Sequence, residues 1–456
     1  MDLANKRVLV VGLERTGRAT ALFCRARGAR VTLSEQRPEA EVAEGVRELR
    51  AAGVELELGG HRLETFLAQD LIIPSPGVPL EIGPLGAARA CGVPVWSEIE
   101  LAARFLRGRL LAITGSNGKT TTTLLTGHIL REAGRHVLVG GNLGTPLISL
   151  VEQSTEDTLS VVEVSSFQLE AIADCFRPDV AALLNLTPDH LDRHPSMDAY
   201  ARAKARIFEN QRPEDAAVVN ADDSAAVRLA PSRPRRLWFS RCDRVDAGTC
   251  LEDGRIVFRS AGHSVGLLHR ADIPLRGEHN VENVLAAACI AALAGIAPDD
   301  IRAAVRSFPG VEHRLEPVAE IAGVAFYNDS KATNVDAALK AIAAFPGNLV
   351  VILGGKDKGA DFRVLAPALA ERARLVLLIG AASEKIAVQL GKAVPIERTG
   401  TLERAVEVAF ERARPGDTVL LAPACASFDQ FENFEHRGRV FKDLVHRIES
   451  RLAAGG

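Results

Sequence analysis

Between an apolar run, Leu110-Leu111-Ala112-Ile113, and a helical pattern beginning at Thr120 lies Gly115-Ser116-Asn117-Gly118-Lys119-Thr120-Thr121. A glycine-rich turn from strand into helix aims backbone N–H groups at one point beside the positive end of the helix dipole, which suits phosphate. Lys119 at this spacing can reach the terminal phosphates of a nucleotide, and the Thr120 hydroxyl can ligate Mg2+. The loop reads G-x-x-G-K-T, shorter than the common phosphate loop, whose first glycine position falls on Ile113 here. A chance lysine after a Gly-rich turn is the plainer reading. The coincidence of strand, loop, Lys-Thr and helix outweighs it, and the chemistry expected is the handling of ATP or GTP.

Glu163 ends the apolar run Leu159-Ser160-Val161-Val162 and precedes Val164-Ser165-Ser166. In open α/β sheets the carboxyl ends of strands carry the ligands, so this is where a Mg2+-binding acid belongs. A solvated strand-end glutamate is the alternative. After the next strand candidate, Asn185-Leu186-Thr187-Pro188-Asp189-His190-Leu191-Asp192-Arg193-His194 is dense in polar side chains. A histidine there can ligate metal or orient a carboxylate, and spacing alone reads equally as a solvated loop. Lys204 is sharper. The segment 197–208 has a helical apolar stripe at Met197, Tyr200, Ala201, Ile207 and Phe208, and Lys204 falls inside it. An inward lysine must be paired, deprotonated or chemically altered. A neutral amine can add CO2 to form a carbamate, a carboxylate on a long arm. The alternative is a lysine snorkelling at the helix edge.

Gly12-Leu13-Glu14-Arg15-Thr16-Gly17 stands where a dinucleotide fingerprint would stand, after the strand candidate Arg7-Val8-Leu9-Val10-Val11. Glu14 occupies the second glycine position, where backbone must approach a pyrophosphate and a carboxylate repels one. NAD binding is therefore disfavoured. Thr16 and Gly17 can still open a helix toward a phosphate, and Glu35 at the end of the second strand can accept a ribose hydroxyl.

These residues need a frame. The chain has 456 residues, too many for one core. Its 55 Lys and Arg against 58 Asp and Glu give a net charge of −3, with no basic footprint for nucleic acid. Seven scattered cysteines without C-x-x-C fit a reducing compartment rather than a disulfide or zinc framework. No signal-like segment and no run long enough for a membrane span are found, so a cytoplasmic protein without membrane insertion is expected. Apolar strand runs alternate with helical patterns throughout, predicting an α/β protein with parallel sheets. Three blocks are expected: 1–97, Rossmann-like; 98–310, holding the phosphate loop; and 311–456, again doubly wound. Strand candidates include Val93-Pro94-Val95-Trp96 in the first block. In the third they are Val324-Ala325-Phe326-Tyr327, Leu349-Val350-Val351-Ile352-Leu353, Val376-Leu377-Leu378-Ile379 and Thr418-Val419-Leu420-Leu421.

Taken together the chain resembles the Mur ligase superfamily, the ATP-dependent amino-acid ligases of peptidoglycan synthesis, and within it the D-glutamate-adding family. The short phosphate loop, Gly141-Asn142-Leu143-Gly144, Glu163-Val164-Ser165-Ser166, the Asn185–Asp192 stretch, Tyr200-Ala201-Arg202-Ala203-Lys204 and His279-Asn280-Val281-Glu282-Asn283 carry the resemblance in the middle block. His313-Arg314-Leu315-Glu316, Asn328-Asp329-Ser330-Lys331-Ala332-Thr333-Asn334, Gly354-Gly355-Lys356-Asp357-Lys358-Gly359 and Pro423-Ala424-Cys425-Ala426-Ser427-Phe428-Asp429 through Arg437-Gly438 carry it in the last.

The resemblance implies a Rossmann-like N-terminal domain for the UDP-substrate, a central ATPase-type domain and a Rossmann-like C-terminal domain for the amino acid. It implies that Gly115, Ser116, Asn117, Gly118, Lys119, Thr120 and Thr121 hold the β- and γ-phosphates. Thr120 and Glu163 would hold one Mg2+, and His190 with a carbamylated Lys204 a second. Asn280, Asn283, Arg314, Asp329 and Lys331 would serve ATP on its adenosine side. Thr16, Asn142 and Ser165 would serve UDP-N-acetylmuramoyl-L-alanine, and Thr333, Lys358, Ser427 and the backbone near Phe434 would serve D-glutamate. Lysine and hydroxyl donors suit a dicarboxylate. A monomer is expected. Glu14 replaces a glycine that the family commonly has, which implies altered diphosphate contacts. Rivals are the L-lysine- or diaminopimelate-adding ligases and folylpolyglutamate synthase, whose phosphate loop, Glu and Lys are shared. The Asp-Asn-Pro-Arg motif of the diaminopimelate-adding family is absent from this sequence. An ATP-binding regulatory module without ligase activity is opposed by the Glu163, His190 and Lys204 set.

Overall fold

The computed structural model of the chain describes residues 1–188 and 193–455. Strands β1 (Arg7–Val11), β2 (Arg30–Glu35), β3 (Glu55–Leu58) and β4 (Leu71–Pro74) form a parallel sheet in the order β3-β2-β1-β4. Burial on both faces accounts for the continuous apolar runs. Along β1, Val8 and Val10 pack with Ala21 and Cys24 of the helix Arg15–Ala26, while Leu9 and Val11 pack with Phe66, Leu85 and Ala88 on the other face. This is the two-residue alternation of a strand with helices on both sides.

A second sheet has β5 (Arg109–Thr114), β6 (Val137–Gly141), β7 (Leu159–Glu163), β8 (Val180–Leu183), β9 (Ala216–Asn220), β10 (Arg235–Ser240), β11 (Gly248–Glu252), β12 (Arg255–Ser260) and β13 (His263–His269). Their order is β13-β12-β11-β10-β9-β8-β5-β7-β6; the sheet is parallel from β6 through β11, and β12 and β13 add antiparallel. A third sheet, from β14 (Glu316–Ile321), β15 (Val324–Asn328), β16 (Leu349–Gly354), β17 (Ala373–Ile379), β18 (Ile396–Gly400) and β19 (Thr418–Leu421), runs β14-β15-β19-β16-β17-β18. All its pairs are parallel except β14 with β15. The described residues fall into two compact units: 1–273 with 281–308, holding the first two sheets, and 274–280 with 309 onward, holding the third. Among the described residues no helix is long and apolar enough to cross a membrane.

One expectation is corrected, and one part of the second sheet had none. Val93-Pro94-Val95-Trp96 is not a strand but a single parallel bridge, Ile72 to Val95, flanked by Ile72 N–H to Pro94 O at 2.9 Å. Pro94 has no N–H with which to extend a ladder. The β11–β13 meander gives no continuous apolar run, because β13 is exposed over His263, Ser264, Val265 and Gly266. Its pairing with β12 shows only in three dimensions.

Glu98 opens the helix Glu98–Ala103 and is 1% exposed. Its Oε1 accepts Ile148 N–H at 2.6 Å, and among the described residues its Oε2 has no partner. Burial pushes the carboxyl up from 4.5 to about 7. A folded pKa above the unfolded one stabilises the fold at low pH, and this contribution is lost as pH rises through about 7. Relative to Glu98→Gln, the wild-type protein should lose on the order of 3 kcal/mol across that window. Urea midpoints of both proteins at pH 4.5 and 8 check this; parallel pH profiles would show that Glu98 is not the titrating group.

Candidate active site

The phosphate loop joins β5 to the helix Lys119–Glu132. Gly118 has φ +83°, and a Cβ there would lie 2.2 Å from Asn283 Oδ1. Left-handed backbone and close approach both require glycine. The loop is clamped from β8: Asn117 N–H donates to Asn185 Oδ1 at 2.8 Å, Asn185 Nδ2 to Asn117 O at 3.1 Å, and Ser116 Oγ to Thr187 O at 3.0 Å. Tyr200 Oη adds a hydroxyl contact to Ser116 at 3.0 Å. Sequence reading gave no role to Asn185, Thr187 or Tyr200. Their signal was their place in the polar stretch after β8 and on the inward helix stripe. Lys119 Nζ arcs over the loop, donating to Gly115 O and Ser116 O at 2.9 Å each. Thr121 is buried beside it.

Neighbouring strand ends bring the acid to the loop. β7 lies between β5 and β6, so Glu163 meets Thr120 on one side and Asn142 on the other. Thr120 Oγ1 donates to Glu163 Oε2 at 2.8 Å, and Asn142 Nδ2 to Glu163 Oε1 at 3.0 Å. Glu163 is 3% exposed. The carboxylate of Glu163 and the hydroxyl of Thr120 are oxygen donors suited to a hard cation such as Mg2+. Lys204, on the helix Met197–Ala205, is 2% exposed, and its Nζ donates to Gly115 O at 2.8 Å and lies 4.8 Å from the Tyr200 ring centre. The inward lysine thus reaches the first residue of the loop. His190, with Asp189, Leu191 and Asp192, lies outside the described residues. His194 turns inward instead, its Nε2 3.0 Å from Ser166 Oγ and its ring stacked on Phe167.

A cavity of about 620 Å3 is lined by the first turn with Glu14, Arg15 and Thr16, by Glu35 and Arg37, and by Gly141, Asn142 and Gln168. It brings Thr16 and Asn142 together. Ser165 Oγ accepts Gln168 N–H at 3.2 Å, capping a short helix beside it. Glu35, in the cavity wall, also bonds within the protein. Burial raises its pKa, but Arg37 and the Leu13 N–H outweigh this and hold it near 2. Arg37 also pairs with Glu14 at 2.8 Å, so Glu14 faces a cation.

In the other unit, Thr333, Lys358 and Ser427 follow β15, β16 and β19, three adjacent strands, at their carboxyl ends. Ser427 is buried and Lys358 exposed. Lys331 Nζ lies 3.8 Å from the Phe434 ring centre. Asp329 accepts Leu315 N–H at 3.3 Å, and burial pushes it up to about 7 against the pull of Arg314. Asn280 Nδ2 donates to Arg276 O at 2.7 Å. Asn283 belongs to the first unit, where it accepts Thr122 Oγ1–H at 3.2 Å beside the phosphate loop.

Fold and loop together define a nucleotide-using α/β enzyme with a buried lysine and acid at its phosphate loop. Comparison with known proteins narrows this. Residues 6–97 match the Mur ligase MurD-like N-terminal domain, 113–291 the Mur ligase middle domain, and 313–425 the Mur ligase glutamate ligase domain. UDP-N-acetylmuramoylalanine--D-glutamate ligase of Acidobacterium capsulatum is 56% identical, over 98% of this chain and 97% of its own. The enzyme of the same name from Koribacter versatilis is 52% identical, over 98% and 99%. Among solved structures, UDP-N-acetylmuramate-alanine ligase MurC from Thermotoga maritima shares the fold, with TM-score 0.61 and 19% identity over 98% of this chain and 100% of that one. The chain belongs to the Mur ligase family, ATP-dependent ligases that form amide bonds, and within it to the UDP-N-acetylmuramoylalanine--D-glutamate ligases.

Proposed function

We propose that the chain joins D-glutamate to UDP-N-acetylmuramoyl-L-alanine, consuming ATP, through an acyl phosphate. The observation that carries the reading is the meeting of Lys119, Thr120, Glu163 and Lys204 at one loop, in a chain whose close relatives bear this activity in their names. The L-alanyl carboxylate oxygen bonds to the γ-phosphorus as the bridging P–O bond breaks and ADP leaves. The D-glutamate amine, having lost a proton, then forms the C–N bond at the acyl carbon, and phosphate departs with the C–O bonding pair and takes up the second proton that the nitrogen gives up.

Attack of a carboxylate on a triphosphate brings anions together, so the site must supply positive charge. Lys119 supplies a cation over the loop, and the Gly115–Thr120 amides supply oriented donors. Thr120 and Glu163 would hold one Mg2+, and Lys204, as a carbamate, would hold a second with His190; when bound, these ions screen the reacting oxygens. Thr16, Asn142 and Ser165 would receive the UDP-substrate. Asn280, Asn283, Arg314, Asp329 and Lys331 would receive the nucleotide, and Thr333, Lys358, Ser427 and Phe434 D-glutamate. The working domains in this reading are 1–97, 98–310 and 311–456, in a monomer acting in the cytoplasm.

Purified protein given ATP, Mg2+, UDP-N-acetylmuramoyl-L-alanine and single amino acids should release phosphate with D-glutamate and not with L-lysine or diaminopimelate. Release with either of those in place of D-glutamate would overturn the assignment.

A further inference from the structure

Arg437, three residues into the helix Phe434–Gly455, is the largest fully buried side chain among the described residues, at 1% exposure. A buried cation normally faces a carboxylate, because leaving water costs several kcal/mol. Here every bond of the guanidinium goes to a neutral oxygen. Nε donates to Ser330 Oγ at 3.0 Å, Nη2 to Ser330 O at 2.9 Å, and Nη1 and Nη2 to Cys425 O at 3.2 Å each. Among the described residues no carboxylate comes within ion-pair distance of it. Asp429 acts on it only from farther away and is engaged with Ala381 N–H at 2.9 Å. Burial pulls the guanidinium down only to about 10, so it is charged at neutral pH.

The acceptors are not random neighbours. Ser330 starts the loop to Thr333 and also donates its hydroxyl to Phe434 O at 2.8 Å. Cys425 lies in the loop from β19 to Ser427. The third loop closes on the same group: a Cβ at Gly355 would lie 3.3 Å from Arg437 Nη1, and Lys356 N–H donates to Ala426 O at 2.8 Å. Ala424 N–H to Ala332 O at 2.9 Å ties the first two loops directly. One planar fork therefore sets the spacing of the segments that carry Thr333, Lys358, Ser427 and Phe434. Its rigid geometry does this, and a lysine ammonium cannot reproduce it.

We propose that Arg437 is the positioning residue of the amino-acid subsite: it locks the three loops into one platform, and its buried charge, with no carboxylate in ion-pair reach among the described residues, favours an amino acid bearing a second carboxylate there. This rests on the functional reading above. A buried charge in low dielectric acts over longer range than one in water, and a substrate dicarboxylate is the anion that offsets the cost of burying it.

Steady-state kinetics of wild type, Arg437→Lys and Arg437→Gln, with each of the three substrates varied in turn, test the proposal. The KM for D-glutamate should rise about tenfold in Arg437→Lys, which keeps the charge and loses the fork, and about a hundredfold in Arg437→Gln, which loses both. The KM values for ATP and the UDP-substrate should stay within about twofold of wild type. Equal rises in all three KM values with a lowered melting temperature would make Arg437 a plain structural residue and overturn the proposal, as would identical behaviour of the two variants. If Arg437→Gln does not fold, the KM split in Arg437→Lys decides. Unchanged kinetics of Arg437→Lys beside an active wild type overturns this inference alone. A wild-type protein without D-glutamate-dependent phosphate release overturns the functional reading and this inference with it.

Discussion

Lys204→Ala is expected to lower kcat by about a thousandfold, with part of the activity returning when formate or acetate is added. An ammonium with 2% exposure must be compensated or altered. The Nζ donates to the carbonyl of Gly115 at 2.8 Å, at the mouth of the phosphate loop and across 89 residues of sequence. A carbamate formed on the neutral amine would place a carboxylate beside the loop, where an anion can hold a cation but would otherwise repel phosphate. Alanine removes the arm and leaves a space that a short carboxylic acid can enter. The readout is D-glutamate-dependent phosphate release with and without the added acid. Full activity in Lys204→Ala would sink the carbamate, and loss without any rescue would leave the lysine as a loop brace through Gly115 O.

Lys119→Met should reduce kcat by roughly three orders of magnitude while leaving affinity for the UDP-substrate within about twofold. Methionine keeps the length and packing of the side chain and removes its charge. The loop's shape should survive, because Asn185 and Thr187 hold it through Asn117 and Ser116. The cavity that joins Thr16 to Asn142 does not include Lys119. Chemistry and UDP-substrate binding should therefore separate, the first followed by phosphate release and the second by calorimetric titration. A variant retaining a tenth of wild-type turnover would show that the loop amides alone supply the needed field.

The residues of the candidate site were legible to very different degrees. The phosphate loop was complete in the sequence because its chemistry is local: glycine, lysine and threonine within seven positions impose the turn and the helix start themselves. Lys204 was legible as inward-facing because helical spacing is also local, and its burial follows the stripe. Glu35 was legible only in part. Its position at the end of β2 placed it at the cavity that it lines, and its bonds to Arg37 and the Leu13 N–H showed only in three dimensions. Glu14 read as a carboxylate hostile to phosphate, and its pairing with Arg37 changes the charge that a ligand in that cavity meets.

By itself the sequence determined the α/β class, the strand-to-helix phosphate loop and the inward lysine, since short-range periodicity and turn chemistry act within one or two elements. Only the tertiary structure decided who meets whom. Asn142 reaches Glu163 because β6 and β7 pair in parallel. Thr333, Lys358 and Ser427 share one edge because β15, β19 and β16 are neighbours. Arg437, given no role by the sequence beyond its place in a family motif, joins Ser330 and Cys425 from 107 and 12 positions away. Strand order is set by the packing of whole layers, a many-residue balance of burial against chain entropy, and no local pattern encodes it.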